Sequence, residues 1–137
     1  MRRMIDFDCA GDRLVGTLDE AEGTTGLLLI SGGNEIRSGA YAGQAAMARY
    51  FAASGFPVFR YDRRGTGDSE GQNRGFENSA DDIATAVTAF RKAAPHLNNL
   101  VAFGNCDAAT AMALFHSGVA IDQLVLANTW VIEASSV

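Results

Sequence analysis

The sequence is poor in the residues on which several chemistries depend. Of its 11 basic residues only Lys92 is a lysine. A Schiff-base mechanism or a phosphate-cradling loop would have to use Lys92, which lies in a plain helical pattern, and this argues against both. Cysteine occurs twice, as Cys9 and Cys106, and histidine twice, as His96 and His116. Two cysteines make no disulfide framework and fit a reducing, cytoplasmic compartment. None of these four side chains lies two to five residues from another, the spacing of structural zinc ligands, so no metal is expected. No apolar run approaches the roughly 18 residues of a membrane span. The N-terminal MRRMIDFDCAGDR has two arginines, but Asp6 and Asp8 interrupt it before a signal-peptide core could form. Positive charge is also scarce: the formal net charge is −5, whereas nucleic-acid-binding domains carry a basic face.

What is present is a chain of 137 residues, 47% hydrophobic, enough for one domain spanning residues 1–137 with a real core. Ile5, Phe7 and Cys9 alternate with Asp6 and Asp8, the period of a half-buried strand over 4–9. Residues 13–18 fit its hairpin partner, with Cys9-Ala10-Gly11-Asp12 turning between them. From residue 26 strands and helices alternate. Leu27 to Ile30 is continuously apolar, as in a strand covered on both faces. A glycine loop from Ser31 leads to a helix over about 41–54, with Met47, Tyr50, Phe51 and Ser54 on one face and Gly55 ending it. Residues 57–61 form the next strand, followed by a glycine-rich loop over 62–75. The helix after it has Ser79 as N-cap with Asp82 approximating a capping box. Ile83, Val87, Phe90 and Ala94 form its apolar stripe, and Pro95 stops it. Residues 100–103 form another strand, which enters an alanine-rich helix through Gly104-Asn105-Cys106-Asp107-Ala108. Residues 124–127 are the last strand. The expected fold is a three-layer α/β domain with a mostly parallel sheet and an antiparallel N-terminal hairpin.

Ligands of such sheets bind at the carboxyl ends of the strands, here the loops 31–40, 62–75 and 104–108. Strand, Gly-x-Cys-x-Ala, helix is the layout of a nucleophile elbow with cysteine in place of serine. The turn is tight and the helix packs close to the strand, so small residues are required on both sides; Gly104 and Ala108 meet that need. Cys106 then stands at a helix N-terminus, which favours a thiolate. The N–H of Asp107 is one expected oxyanion donor. The second is the N–H of Gly33, with Asn34 next to it as a substrate-binding residue, because glycines there let bare backbone approach a carbonyl. The competing reading makes Cys106 a small buried hydrophobe, as Cys9 is expected to be. Asp62, Arg64 and Asp68 are expected to hold their loop together. Gly65-Thr66-Gly67-Asp68-Ser69-Glu70-Gly71 has its third glycine one place late for a dinucleotide fingerprint and opens no helix, and no cofactor is expected.

Together these segments resemble the N-terminal half of an α/β-hydrolase. Asp62-Arg63-Arg64-Gly65-Thr66-Gly67-Asp68-Ser69 resembles the D-x-R-G-x-G-x-S loop of that superfamily, and the Gly-Gly loop after Ile30 its oxyanion loop, with Ser31 replacing the common histidine. More narrowly, Gly32-Gly33-Asn34-Glu35-Ile36-Arg37-Ser38-Gly39, Tyr61-Asp62-Arg63-Arg64-Gly65 and Gly104-Asn105-Cys106-Asp107-Ala108-Ala109 are similar to the exosortase A system-associated hydrolase 1 family. That family is bacterial and is linked by genomic context to exopolysaccharide and protein-sorting systems. The superfamily resemblance covers about residues 4–128, and the narrower one rests on these three motifs. It implies an acyl hydrolase acting on a small-molecule ester or thioester, with Cys106 at the nucleophile position.

The superfamily's triad also requires an acid and then a histidine after the nucleophile. His116 lies ten residues along the same helix as Cys106, roughly 15 Å away. His96 precedes the strand that ends at Cys106 and belongs at the opposite edge of the sheet. Neither can be the general base, so the chain is expected to be an N-terminal portion of a longer hydrolase or a truncated relative, ending after the sixth of eight strands. The strand 124–127, with Trp130, Val131 and Ile132, would then present an open apolar edge. Residues 123–132 are expected to form an interface with the absent half or with a second copy. A hydrolase-like fragment serving as a non-catalytic assembly or binding module is the alternative function.

Overall fold

A computed structural model describes residues 1–129; Trp130, Val131 and Ile132 of the expected interface lie outside the described residues. The chain opens with a hairpin, strand β1 (Arg2–Cys9) paired antiparallel with β2 (Asp12–Asp19) in a register that sets Cys9 opposite Asp12. Ala10 and Gly11 turn the corner with φ of 51° and 90°, the two left-handed residues that a tight two-residue hairpin loop requires.

Strands β3 (Thr25–Ile30), β4 (Val58–Tyr61), β5 (Asn99–Asn105) and β6 (Gln123–Ala127) complete a six-stranded sheet of order β1-β2-β4-β3-β5-β6. β4 pairs antiparallel with β2, while the pairs β3·β4, β3·β5 and β5·β6 are parallel. The expected fold class is therefore the observed one. Helices α1 (Gly43–Ala53), α2 (Ala80–Ala93) and α3 (Asp107–Phe115) are the crossovers. From β3 the chain moves to one neighbour through α1, then crosses back past β3 to the other through α2. Right-handed crossovers in opposite directions place α1 on one face and α2 with α3 on the other. The packing agrees. Ile83, Val87 and Phe90 of α2 and Met112 of α3 share a core with Leu14, Leu28, Phe59 and Leu100. Leu29, Ala48 and Val58 form a smaller core beneath α1.

Two helix ends differ from the sequence reading. A short 3-10 turn occupies Ala40–Ala42, with Tyr41 and Ala42 at positive φ, so α1 starts at Gly43. Its buried side is Ala48 flanked by Met47 and Phe51, and Tyr50 points to solvent at 69% exposure. Its C-terminus is as expected: Gly55 has φ 100°, its N–H donates to the Ala52 carbonyl and that of Phe56 to the Phe51 carbonyl, a Schellman closure. Ser79 does not cap α2 through its side chain. At φ −98° and ψ 8° its backbone is already near-helical rather than extended, and its hydroxyl donates to the Phe76 carbonyl at 2.6 Å. Asp82 is buried and accepts from the Arg64 N–H and the Arg64 Nε, each at 2.8 Å. It tethers the loop after β4 instead of completing a capping box.

Among the described residues the sheet ends on β6. Val125 and Leu126 there are 46% and 40% exposed. On the α1 face an apolar groove of about 340 Å³ runs between Met47 and Phe51 of α1 and Leu29, Phe103 and Val125 of the sheet. Among the described residues no helix is long and apolar enough to cross a membrane.

Candidate active site

The parallel register sets Ile30 beside both Tyr61 and Gly104. The three central strands therefore end at one level, and the loops after β3, β4 and β5 gather on one rim. This rim lies at the join of β3 and β5, whose outgoing crossovers run in opposite directions, the point at which open α/β sheets bind their ligands.

Cys106 is the single residue between β5 and α3, with φ 60° and ψ −128°, a conformation that residues with a side chain rarely adopt. Its side chain is exposed. The thiol thus stands on the bend between strand and helix rather than among aliphatic side chains. Small neighbours permit the bend. A Cβ at Gly104 would lie 2.8 Å from Met112 Cε and 3.0 Å from the Ala108 carbonyl carbon, and Ala108 is fully buried. The Cys106 N–H donates to the Ala127 carbonyl at 3.0 Å, so β6 steadies the turn. Cys9 is fully buried, as expected, and burial pushes its thiol pKa up.

The loop after β3 lies against this elbow. A Cβ on Gly32 would fall 2.8 Å from the Asn105 carbonyl oxygen and 2.9 Å from Asp107 Oδ1, so only glycine fits there. Gly33 has φ 57°. Its N–H, expected to face a reacting carbonyl, donates instead to Asp107 Oδ1 at 2.7 Å. The residue after the thiol therefore reaches back with its carboxylate to the neighbouring loop, while its own N–H opens α3 in the first turn, where helical N–H groups lack an intrahelical partner. The Asn34 side chain accepts a hydrogen bond from Asn73 Nδ2 at 2.8 Å, tying two rim loops together.

Beneath the rim lie two arginines for which no local sequence pattern indicates a role. Arg63 is buried; its Nη2 donates to the Gly33 carbonyl, its Nη1 is 4.0 Å from Asp107 Oδ1, and its Nε is buried without a partner. Arg37 donates through its N–H at 2.7 Å and through Nη1 to the fully buried Asp62, and through Nη1 at 3.0 Å to Asp68. The Asp68 N–H also donates to Asp62, at 2.9 Å. Asp62, Arg64 and Asp68 hold the loop as expected, and Arg37 is the cation that joins two of them. The arginines were visible only as members of glycine motifs, because their partners lie 20 or more residues away.

His96 makes its contact with the Ala21 carbonyl, at 3.0 Å, and His116 bonds the Met112 carbonyl at the end of α3 at 2.9 Å. Both are exposed, and neither belongs to the rim. Among the described residues no group of three His, Cys, Asp or Glu side chains could hold a metal.

Residues 23–136 match the hydrolase family described as serine aminopeptidase, S33. The chain belongs to this family. Solved structures carry the same fold. The α/β-hydrolase GrgF from Penicillium sp. sh18 superposes with a TM-score of 0.79 at 23% identity, over 98% of this chain and 48% of its own. The Pyrococcus furiosus esterase Pf2001 gives 0.78 at 16% identity, over 94% and 49%. An α/β-hydrolase from Sphaerobacter thermophilus gives 0.67 at 25% identity, over 89% and 44%. The chain spans about half the length of these structural relatives. No curated protein matches its sequence. For this member of the serine aminopeptidase family, the residue on the elbow is a cysteine.

Proposed function

We propose that the chain carries the nucleophile half of an acyl hydrolase acting on small-molecule esters or thioesters, with Cys106 as the nucleophile. The observation that carries this reading is the exposed cysteine at φ 60° on the strand-to-helix bend, immediately before the first turn of α3. In the first step the thiolate attacks the acyl carbon, a C–S bond forms, and the alcohol or thiol leaves with a proton. The acyl oxygen turns towards the N–H of Asp107 and that of Gly33, and Asn34 contacts the substrate. Water then attacks the acyl carbon, the C–S bond breaks, and the carboxylic acid is released. Activating the thiol and protonating the leaving group call for a histidine oriented by an acid, a part that neither His96 nor His116 can play from its place off the rim. Three motifs similar to exosortase A system-associated hydrolase 1 support a role beside exopolysaccharide and protein-sorting systems, in the cytoplasm.

Incubation with p-nitrophenyl acetate tests the assignment. An acetyl adduct is expected on the Cys106 peptide by mass spectrometry and is expected to vanish in Cys106→Ala. In a longer protein, turnover untouched by Cys106→Ser and Cys106→Ala would refute the role.

A second reading is favoured by the exposed Val125 and Leu126 on the edge strand. In it residues 123–132 form an interface with the complementary half of a hydrolase core or with a second copy, and the chain serves as an assembly module. Failure of iodoacetamide to label Cys106 in folded protein near neutral pH would favour this reading over catalysis.

A further inference from the structure

We infer that the Asp107 side chain occupies the seat of the acyl oxygen, and that Asp107 is a positioning residue whose carboxylate a substrate must displace. This rests on the reading of Cys106 as the nucleophile. Of the two N–H groups assigned to the developing oxyanion, that of Gly33 is committed to Asp107 Oδ1 at 2.7 Å. The carboxylate is pressed against the glycine loop closely enough that a Cβ on Gly32 would meet it at 2.9 Å. The seat is built for an anion. Arg63 lies beneath it, buried, donating to the Gly33 carbonyl and holding Nη1 4.0 Å from the same carboxylate oxygen. Its Nε is buried and makes no hydrogen bond among the described residues. An internal carboxylate on these groups mimics the charge that the tetrahedral intermediate would bring. While it stays there, an incoming carbonyl meets one N–H donor instead of two, and the oxyanion that develops from it meets a like charge.

The consequence is selective. Acylation of the thiol develops an oxyanion and needs the seat; alkylation by iodoacetamide is a displacement at a saturated carbon, releases iodide, and needs no oxyanion donor. The experiment measures both rates at Cys106 in the full chain, with p-nitrophenyl acetate and with iodoacetamide. It compares wild type, Asp107→Ala and Asp107→Asn, with circular dichroism to show that each is folded. The ratio of acylation to alkylation is expected to rise about tenfold or more in Asp107→Ala, because one oxyanion donor changes rates by about 100-fold or more when removed. Asp107→Asn retains an acceptor without the charge and is expected to fall between. A general effect on thiol reactivity would move both rates together and leave the ratio unchanged. Wild-type acylation with an unchanged or lower ratio in both variants overturns the role of Asp107 and leaves the nucleophile standing. Alkylation of Cys106 without acylation in any of the three proteins overturns the nucleophile reading, and this inference with it.

Discussion

A side chain held at positive φ costs of order 1–3 kcal/mol, and such strain persists only where the surroundings over-determine it. At Cys106 it is imposed by the strand before, the helix after and the hydrogen bond to Ala127. Glycine adopts this conformation without strain, so Cys106→Gly is expected to stabilise the fold by about 1 kcal/mol, read as a higher urea midpoint, while removing the acetyl adduct. A lower midpoint would show that the bend is not strained by the side chain. The position of Cys106 was legible because glycine, cysteine and alanine at alternate places between a strand and a helix are a local pattern. The engagement of Gly33 was not. Its partner Asp107 is 74 residues distant, and a short carboxylate at the start of a helix reads equally well as a complement to the helix dipole.

Among the elements, the loop after β4 depends most on a single side chain. Asp62 is fully buried and accepts from Arg37 and from the Asp68 N–H, and a Cβ on Gly67 would fall 2.3 Å from its carboxylate. Removing Asp62 leaves the Arg37 and Asp68 N–H groups without their acceptor while Arg37 keeps Asp68 as a partner, so Asp62→Ala is expected to cost about 3 kcal/mol. Thermal unfolding and faster proteolysis within 62–75 would report it. The end of α1 gives a cleaner case: nothing lies within 4 Å of a Cβ on Gly55, so Gly55→Ala tests conformation alone. It is expected to cost about 1 kcal/mol, measured by urea unfolding, and no loss would show that the Schellman turn tolerates a side chain. Gly55 was readable because helix ends obey local rules. Ser79 misled because the same local rule assumes an extended residue, and the 3-10 turn over Phe76–Asn78 had already bent the chain.

For the whole molecule, the asymmetry of the sheet matters most. On one side β1 and β2 close it with a hairpin; on the other β6 leaves Val125 and Leu126 exposed beside an apolar groove. An open apolar edge pairs with other chains, so this chain is expected to self-associate at micromolar concentration in size-exclusion chromatography, and Val125→Lys to shift it towards monomer. A clean wild-type monomer would count against the interface. By itself the sequence determined the alternation of strands and helices, the hairpin, the glycine loops and the cysteine between β5 and α3, because each is set by hydrophobic period and turn chemistry over a few neighbouring residues. Tertiary structure alone decided that Arg37 and Arg63 lie beneath the rim, and that a carboxylate faces the Gly33 amide. Those contacts join residues brought together only when the crossovers place three strand ends at one level, and no short-range pattern encodes that.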